Sequence, residues 1–228
     1  MTLRSLPKDR LIAEISVWSA DLLNLEQDLA RIGPYADILH IDVADGRFTP
    51  GFLFFPDLVA RIVEKADCPV HVHLMTMPDI VVEQARQFID TGADLITVHA
   101  EAGDNGLAAV DVINAAGRSA GVALTLEQPL EALAPFLDQV AMVTLMGTRI
   151  GIKGAGLDDT ACDRISALRR MLPAGRDVLV AADGGIREST TPLLRQAGAD
   201  TVVLGSLAFG APDLHARFAW LHGLEAHS

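Results

Sequence analysis

The segment "DILHIDVADG", residues 37–46, decides how the rest of the chain is read. Apolar residues surround His40 and Asp42, as in a β-strand, and Asp45-Gly46 ends it as a turn. His40 and Asp42 stand two residues apart, so both point to one side of the sheet. Two titratable groups on a face that should be buried need partners. The search for those partners leads outward to the other strands.

Seven further runs rich in Ile, Val and Leu share this texture: "IAEISVW" (12–18), "PVHVHLM" (69–75), "LITVHA" (95–100), "GVALTL" (121–126), "AMVTLM" (141–146), "DVLVAAD" (177–183) and "TVVLGS" (201–206). Segments with helical spacing lie between them, among them 21–32, 79–94 and 190–200. Strand and helix alternating eight times, with short glycine-containing connections, predict an α/β fold with a parallel sheet. Eight such units in 228 residues predict a single (β/α)8 barrel of the TIM type, one domain over residues 1–228. A doubly wound open sheet is the rival, but the glycine-rich dinucleotide fingerprint is absent after the first strand. The tail "LEAHS", 224–228, is expected to fray.

The formal net charge of −12 argues against nucleic acid or anionic lipid as a partner, so a phosphate site has to be built locally. Cys68 and Cys162 show no ligand spacing and read as reduced cysteines of a cytosolic protein. The N-terminal segment carries charges where a signal peptide needs an apolar run, and no apolar stretch reaches the ~20 residues of a membrane span. A soluble cytoplasmic protein is expected.

In such a barrel the active site lies at the C-terminal strand ends. There the sequence places Ser16, His40, Asp42, His71, His73, His99, Glu101, Asp183, Gly205 and Ser206. A buried unpaired carboxylate costs several kcal/mol, and no Lys or Arg falls in any strand segment to pair with Asp42. One divalent metal accounts for His40, Asp42, His73 and Asp183 together. Two imidazoles and two carboxylates suit Zn²⁺ first, and also Fe²⁺, Mn²⁺ or Co²⁺. Asp183-Gly184-Gly185 and Gly205-Ser206 follow the seventh and eighth strands, where these barrels bind phosphate through backbone N–H groups. The loop "LMGTRIGIKGAG", 145–156, is glycine-rich and carries Arg149 and Lys153. It reads either as a solvated surface loop or as a lid that brings a cation to the phosphate.

These motifs resemble those of the ribulose-phosphate 3-epimerase family, over about Ile12 to Asp213. "ISVWSAD" (15–21), "HIDVADGRFTP" (40–50), "HLM" (73–75), "GADLITVHAEA" (92–102), "DGGI" (183–186) and "GADTVVLGSLAFGAPD" (198–213) match in order and spacing. The resemblance implies a ribulose-phosphate-binding type of barrel, a homo-oligomer, and a metal held by His40, Asp42, His73 and Asp183. It implies Asp42 and Asp183 as the acid/base pair. Ser16, His73, Met75, Met146, Gly151, Gly154, Gly184, Gly185, Gly205 and Ser206 are implied on the substrate side, with the glycines after strands seven and eight and Ser206 at the phosphate. The chain departs from the family at Ala44, where methionine is usual, at Trp18 for leucine, Arg47 for histidine and Gly51 for asparagine. Most of the loop 148–155 also differs, so Arg149 and Lys153 are possible phosphate or lid contacts. His71 stands where the family often has an acid and is not expected to be a ligand.

The chemistry implied is inversion at C3 of a phosphorylated ketose, D-ribulose 5-phosphate to D-xylulose 5-phosphate, by two-aspartate proton transfer through an enediolate. The alternatives are 3-epimerisation of another ketose phosphate (allulose 6-phosphate or a tetrulose phosphate), a metal-dependent aldolase, or a non-catalytic sugar-phosphate binder. A Schiff-base aldolase needs a strand lysine, and Lys8, Lys65 and Lys153 all lie outside the strands.

Overall fold

The computed structural model describes residues 3–173 and 175–225. Eight parallel strands close into a barrel: β1 (Ile12–Ser16), β2 (Ile38–Asp45), β3 (Val70–Met75), β4 (Leu95–His99), β5 (Ser119–Leu124), β6 (Met142–Met146), β7 (Leu179–Asp183) and β8 (Thr201–Leu204). Each strand pairs with its sequence neighbours, and the β1–β2 and β1–β8 pairings complete the ring. The open-sheet rival is thereby excluded. Phe52–Leu53 pair antiparallel with the end of β2 and form a small hairpin at the rim. Of the "LEAHS" tail, Ala226–Ser228 lie outside the described residues.

Strand alternation sorts the side chains into two cores. Leu39, Ile41 and Val43 of β2, Val72 and Leu74 of β3, Ile96 and Val98 of β4, and Val202 and Leu204 of β8 face outward into one large apolar cluster under the helices. Burying each such side chain contributes about 1.5–3 kcal/mol, so this layer holds the barrel closed. The inward positions form layers. At the bottom Leu6, Ile12, Ile38, Leu95, Met142 and Ala181 make a small apolar plug. Above it the interior turns polar, with Glu14, His40, His71, Thr97, Thr144 and Thr201 all fully or nearly fully buried.

The outer layer comprises α1 (Leu25–Ile32), α2 (Pro56–Lys65), α3 (Val81–Asp90), α4 (Gly103–Ala115), α5 (Ala161–Met171), α6 (Thr191–Ala197), α7 (Ser206–Phe209) and α8 (Leu214–His222). Their ends follow local chemistry: Pro56 opens α2, Lys65 closes it, and the Asp213 carboxylate caps α8 by accepting from the Ala216 N–H at 3.0 Å. The expected eightfold alternation breaks once. Between β5 and β6 the chain forms only a 3-10 turn, Leu130–Leu133. Pro129 and Pro135 bracket that segment, and proline interrupts an α-helix, so Leu133, Phe136 and Leu137 cover the barrel there without one. Cys68 and Cys162 are both free thiols. Among the described residues no helix is long and apolar enough to cross a membrane.

Candidate active site

The C-terminal mouth of the barrel opens into a cavity of about 340 Å³. Ser16, Asp42, Met75, Met146, Gly151, Gly154, Asp183, Gly184, Gly185, Gly205 and Ser206 line it, as do Arg149 and Lys153. His40 and His73 are fully buried beneath its floor. The strand register sets them there: Ser16 pairs with His40, Asp42 with His73, and Met146 with Asp183. Three steps round the ring separate β2 from β7, so Asp42 and Asp183 enter one cavity from different walls.

One nitrogen or oxygen from each of His40, Asp42, His73 and Asp183 lies within 4.8 Å of the others. His40 Nε2 is 3.1 Å from Asp42 Oδ1 and 3.9 Å from Asp183 Oδ2. His73 Nδ1 is 3.5 Å from Asp42 Oδ1 and 3.6 Å from Asp183 Oδ2. Four ligands on bonds of ~2.0–2.2 Å in a tetrahedron stand ~3.3–3.6 Å apart, so this spacing suits a divalent cation. A second observation agrees: His73 Nδ1 is buried, has no hydrogen-bond partner and faces two carboxylates. The four groups therefore fit a metal ion.

Burial alone would raise the Asp42 carboxyl, but His40 and His73 beside it hold it well below the usual carboxylate range. Ser16 Oγ adds a donated hydrogen bond to Asp42 Oδ2 at 2.9 Å. Asp183 is pushed up to about 6, by burial first and by Asp42 facing it, against the pull of His40 and His73. His40 is likewise raised, well above the usual imidazole value: burial opposes the charge, and Asp42 and Glu14 overcome it.

Below this floor lies a group that sequence reasoning missed. Glu14 Oε1 is 2.7 Å from His40 Nδ1 and also contacts His71 Nδ1, while Thr201 Oγ1 donates to Glu14 Oε2 at 3.2 Å. Burial would raise Glu14, but His71 and His40 hold it far down. The signal was present, because Glu14 precedes Ser16 by two residues and shares its face of β1. His71 turns to Thr97 Oγ1 at 2.7 Å and away from the cavity. His99 and Glu101 are also off the floor. His99 Nε2 meets His73 Nε2 at 2.9 Å, and Glu101 accepts from the Thr125 N–H at 2.9 Å.

At the rim the loop 148–155 is tied on two sides. Lys153 Nζ donates to the Trp18 carbonyl at 2.6 Å and sits 4.5 Å from the Trp18 ring centroid. Burial lowers the Lys153 ammonium pKa, with Asp42 pulling it back up. Arg187, another lining residue the sequence reading passed over, donates to the Gly154 and Ala155 carbonyls at 2.7 and 3.2 Å. Arg149 instead points outward, its side chain 81% exposed and 4.0 Å from Glu127. After β7, Gly184 and Gly185 take φ of 91° and 70°, and a Cβ on Gly185 would strike the Leu157 backbone.

Comparison with known proteins agrees with this fold and shows the family. The solved 3-keto-L-gulonate-6-phosphate decarboxylase of Vibrio cholerae superposes with a TM-score of 0.72 at 15% identity, covering 93% of this chain and 99% of that one. The 3-hexulose-6-phosphate synthase of Salmonella typhimurium gives 0.69 at 20%, covering 94% and 98%. These likenesses establish the (β/α)8 barrel as the class of fold. Sequence goes further: residues 12–209 match the family model for the ribulose-phosphate 3 epimerase family, and the chain belongs to that family. Ribulose-phosphate 3-epimerase of Bacillus subtilis is 32% identical over 212 residues, 91% of this chain and 96% of the relative. That of Rhodobacter capsulatus is 35% identical over 196 residues, 85% and 84% respectively. The protein is an epimerase, hence an isomerase.

Proposed function

We propose that this chain inverts C3 of a phosphorylated ketose, with D-ribulose 5-phosphate and D-xylulose 5-phosphate as its substrate pair, and that residues 1–228 act as one barrel domain. The observation that carries this reading is the approach of Asp42 and Asp183 to a single cavity from different walls, next to two glycine turns. Inversion beside a ketone needs a proton removed from one face and one returned to the other, and two carboxylates so placed reach both faces. General acid/base help of this kind contributes ~10²–10⁴-fold.

His40, Asp42, His73 and Asp183 would hold one divalent cation, Zn²⁺ or alternatively Fe²⁺, Mn²⁺ or Co²⁺. Bound there it would supply Lewis-acid stabilisation of the negative charge that develops on the ketose oxygens. The residues do the rest. Asp42 or Asp183 takes the C3 proton and the other returns one to the opposite face of the enediolate. Ser16 orients Asp42 through its hydroxyl. Met75 and Met146, buried at the cavity edge, keep water from the planar carbon. The backbone N–H groups of Gly184, Gly185, Gly205 and Ser206 receive the phosphate. Lys153 and Arg187 hold the loop 148–155 over the bound sugar.

A different ketose phosphate is the second reading. Lys153 and the altered loop 148–155 set the shape and charge of one cavity wall, and Ala44 is small and buried at the end of β2. A homo-oligomer belongs to the same proposal, supported by Leu23 and Phe52, which stand 95% and 84% exposed near the rim loops. A panel of ketose phosphates followed by proton NMR in D₂O tests the reading. The expected result is deuterium at C3 and one new stereoisomer from ribulose 5-phosphate. Two fragments would mean an aldolase, and no exchange from any ketose phosphate would mean a binder.

A further inference from the structure

The two histidines of the floor present different ring nitrogens to the cavity, Nε2 of His40 and Nδ1 of His73. An imidazole ligates a metal only through a nitrogen that carries no proton, and which nitrogen that is depends on what the other one bonds. Both other nitrogens are committed, and each commitment can be followed to its end.

His40 Nδ1 faces Glu14 Oε1 at 2.7 Å. Glu14 is wholly buried, with no Lys or Arg in any barrel strand, and the three groups bonded to it, His40 Nδ1, His71 Nδ1 and the Thr201 hydroxyl, are all able to donate. His40 Nδ1–H and His71 Nδ1–H donate to Oε1, and the Thr201 hydroxyl donates to Oε2. His71 then has Nε2 free to accept from the Thr97 hydroxyl at 2.7 Å. That hydroxyl fits because β5 carries Gly121 opposite it; a Cβ there would overlap the Thr97 oxygen. With ionised Glu14 as acceptor, these bonds leave Nε2 of His40 with a bare lone pair once a cation replaces its proton.

The His73 side closes the same way with the opposite outcome. The Glu101 carboxylate accepts from the Thr125 N–H and hydroxyl through Oε1, which leaves Oε2 to accept from His99 Nδ1–H at 3.3 Å. His99 Nε2 must then accept, and its donor is His73 Nε2–H at 2.9 Å. His73 Nδ1 is left unprotonated, and it is the buried atom without a partner. His99 lies nearly parallel to His73, with ring centroids 5.0 Å apart, and the Phe48 ring packs against it at a tilt, 4.8 Å between centroids.

We propose that Glu14, and the His99–Glu101 pair acting through His99, are positioning residues that lock His40 and His73 into opposite tautomers. Nε2 of one and Nδ1 of the other thereby become metal-facing lone pairs. This rests on the metal reading of the site given above.

The test uses the whole protein labelled with ¹⁵N-histidine and loaded with Zn²⁺. The expected spectrum has His40 protonated at Nδ1 and His73 at Nε2. In parallel, Zn²⁺ affinity is measured by competition with a chelator for wild type, Glu14→Gln and His99→Phe. Each variant is expected to bind Zn²⁺ about 10–100-fold more weakly at unchanged circular dichroism, the range seen when such outer partners are lost. A structural role alone would move neither tautomer nor affinity. Wild-type Zn²⁺ affinity in both variants, or either histidine in the reverse tautomer, would overturn the relay while leaving the metal site standing. If a variant does not fold, the wild-type tautomers decide. Wild-type protein that binds no Zn²⁺, Fe²⁺, Mn²⁺ or Co²⁺ would sink the metal reading, and the relay with it.

Discussion

The floor of the cavity and the loop 148–155 at its rim are built on different terms. Each floor side chain comes from a strand and has its direction fixed by the register with the next strand, and all but the partly exposed Asp183 are buried. The rim loop belongs to no strand and is held by a few side-chain hydrogen bonds, from Lys153 to Trp18 and from Arg187 to Gly154 and Ala155. Precise placement of reacting groups needs rigid support, whereas choice among similar sugars needs only a surface that can be altered without disturbing that support. The floor motifs resemble the family's and the rim loop does not, so under the function proposed above chemistry belongs to the floor and selectivity to the rim.

Four measurements can break that division, from the largest effect down. Removing metal with a chelator is expected to abolish turnover, with recovery on adding Zn²⁺, Fe²⁺, Mn²⁺ or Co²⁺; full activity in a verified metal-free sample defeats the metal assignment. Asp42→Asn and Asp183→Asn are each expected to cost at least ~10²–10⁴-fold in kcat, read by a coupled assay, with the fold intact by circular dichroism. Near-normal turnover in either ends the two-carboxylate scheme. At the rim, Lys153→Met is expected to raise KM for the ketose phosphate about tenfold with a smaller change in kcat, as loss of one charge-assisted contact implies. A kcat loss matching that of the aspartate variants would place Lys153 with the floor. Arg149→Ala, whose partner is an exposed glutamate, is expected to stay within about threefold of wild type in kcat/KM. A larger change would show that its guanidinium swings inward on the substrate.

Much of the floor was legible because strand alternation is simple: His40 and Asp42, and Met75 beyond His73, had to share faces. Glu14 escaped because an isolated glutamate in an apolar run draws less notice than a histidine–aspartate pair, though the same spacing rule puts it under Ser16. His99 and Glu101 were visible at a strand end, but their task depends on a ring-to-ring contact across two strands that spacing does not encode. The loop 148–155 offered only glycines and two cations. That Lys153 lies inward and Arg149 outward is set by neighbours on other loops, Trp18 and Glu127. The helix missing between β5 and β6 was written in Pro129 and Pro135, which the eightfold rhythm overrode.

The polar interior has a thermodynamic consequence. Glu14, Asp42 and Asp183 gather three carboxyl groups in a low-dielectric core whose strands contain no lysine or arginine. A cation held there as proposed would be a counter-ion for folding as well as for catalysis. At a free concentration a thousand times its dissociation constant it would add about 4 kcal/mol to the native state. Metal starvation should thus register as a lowered melting temperature, making heat tolerance a gauge of how well the protein is supplied.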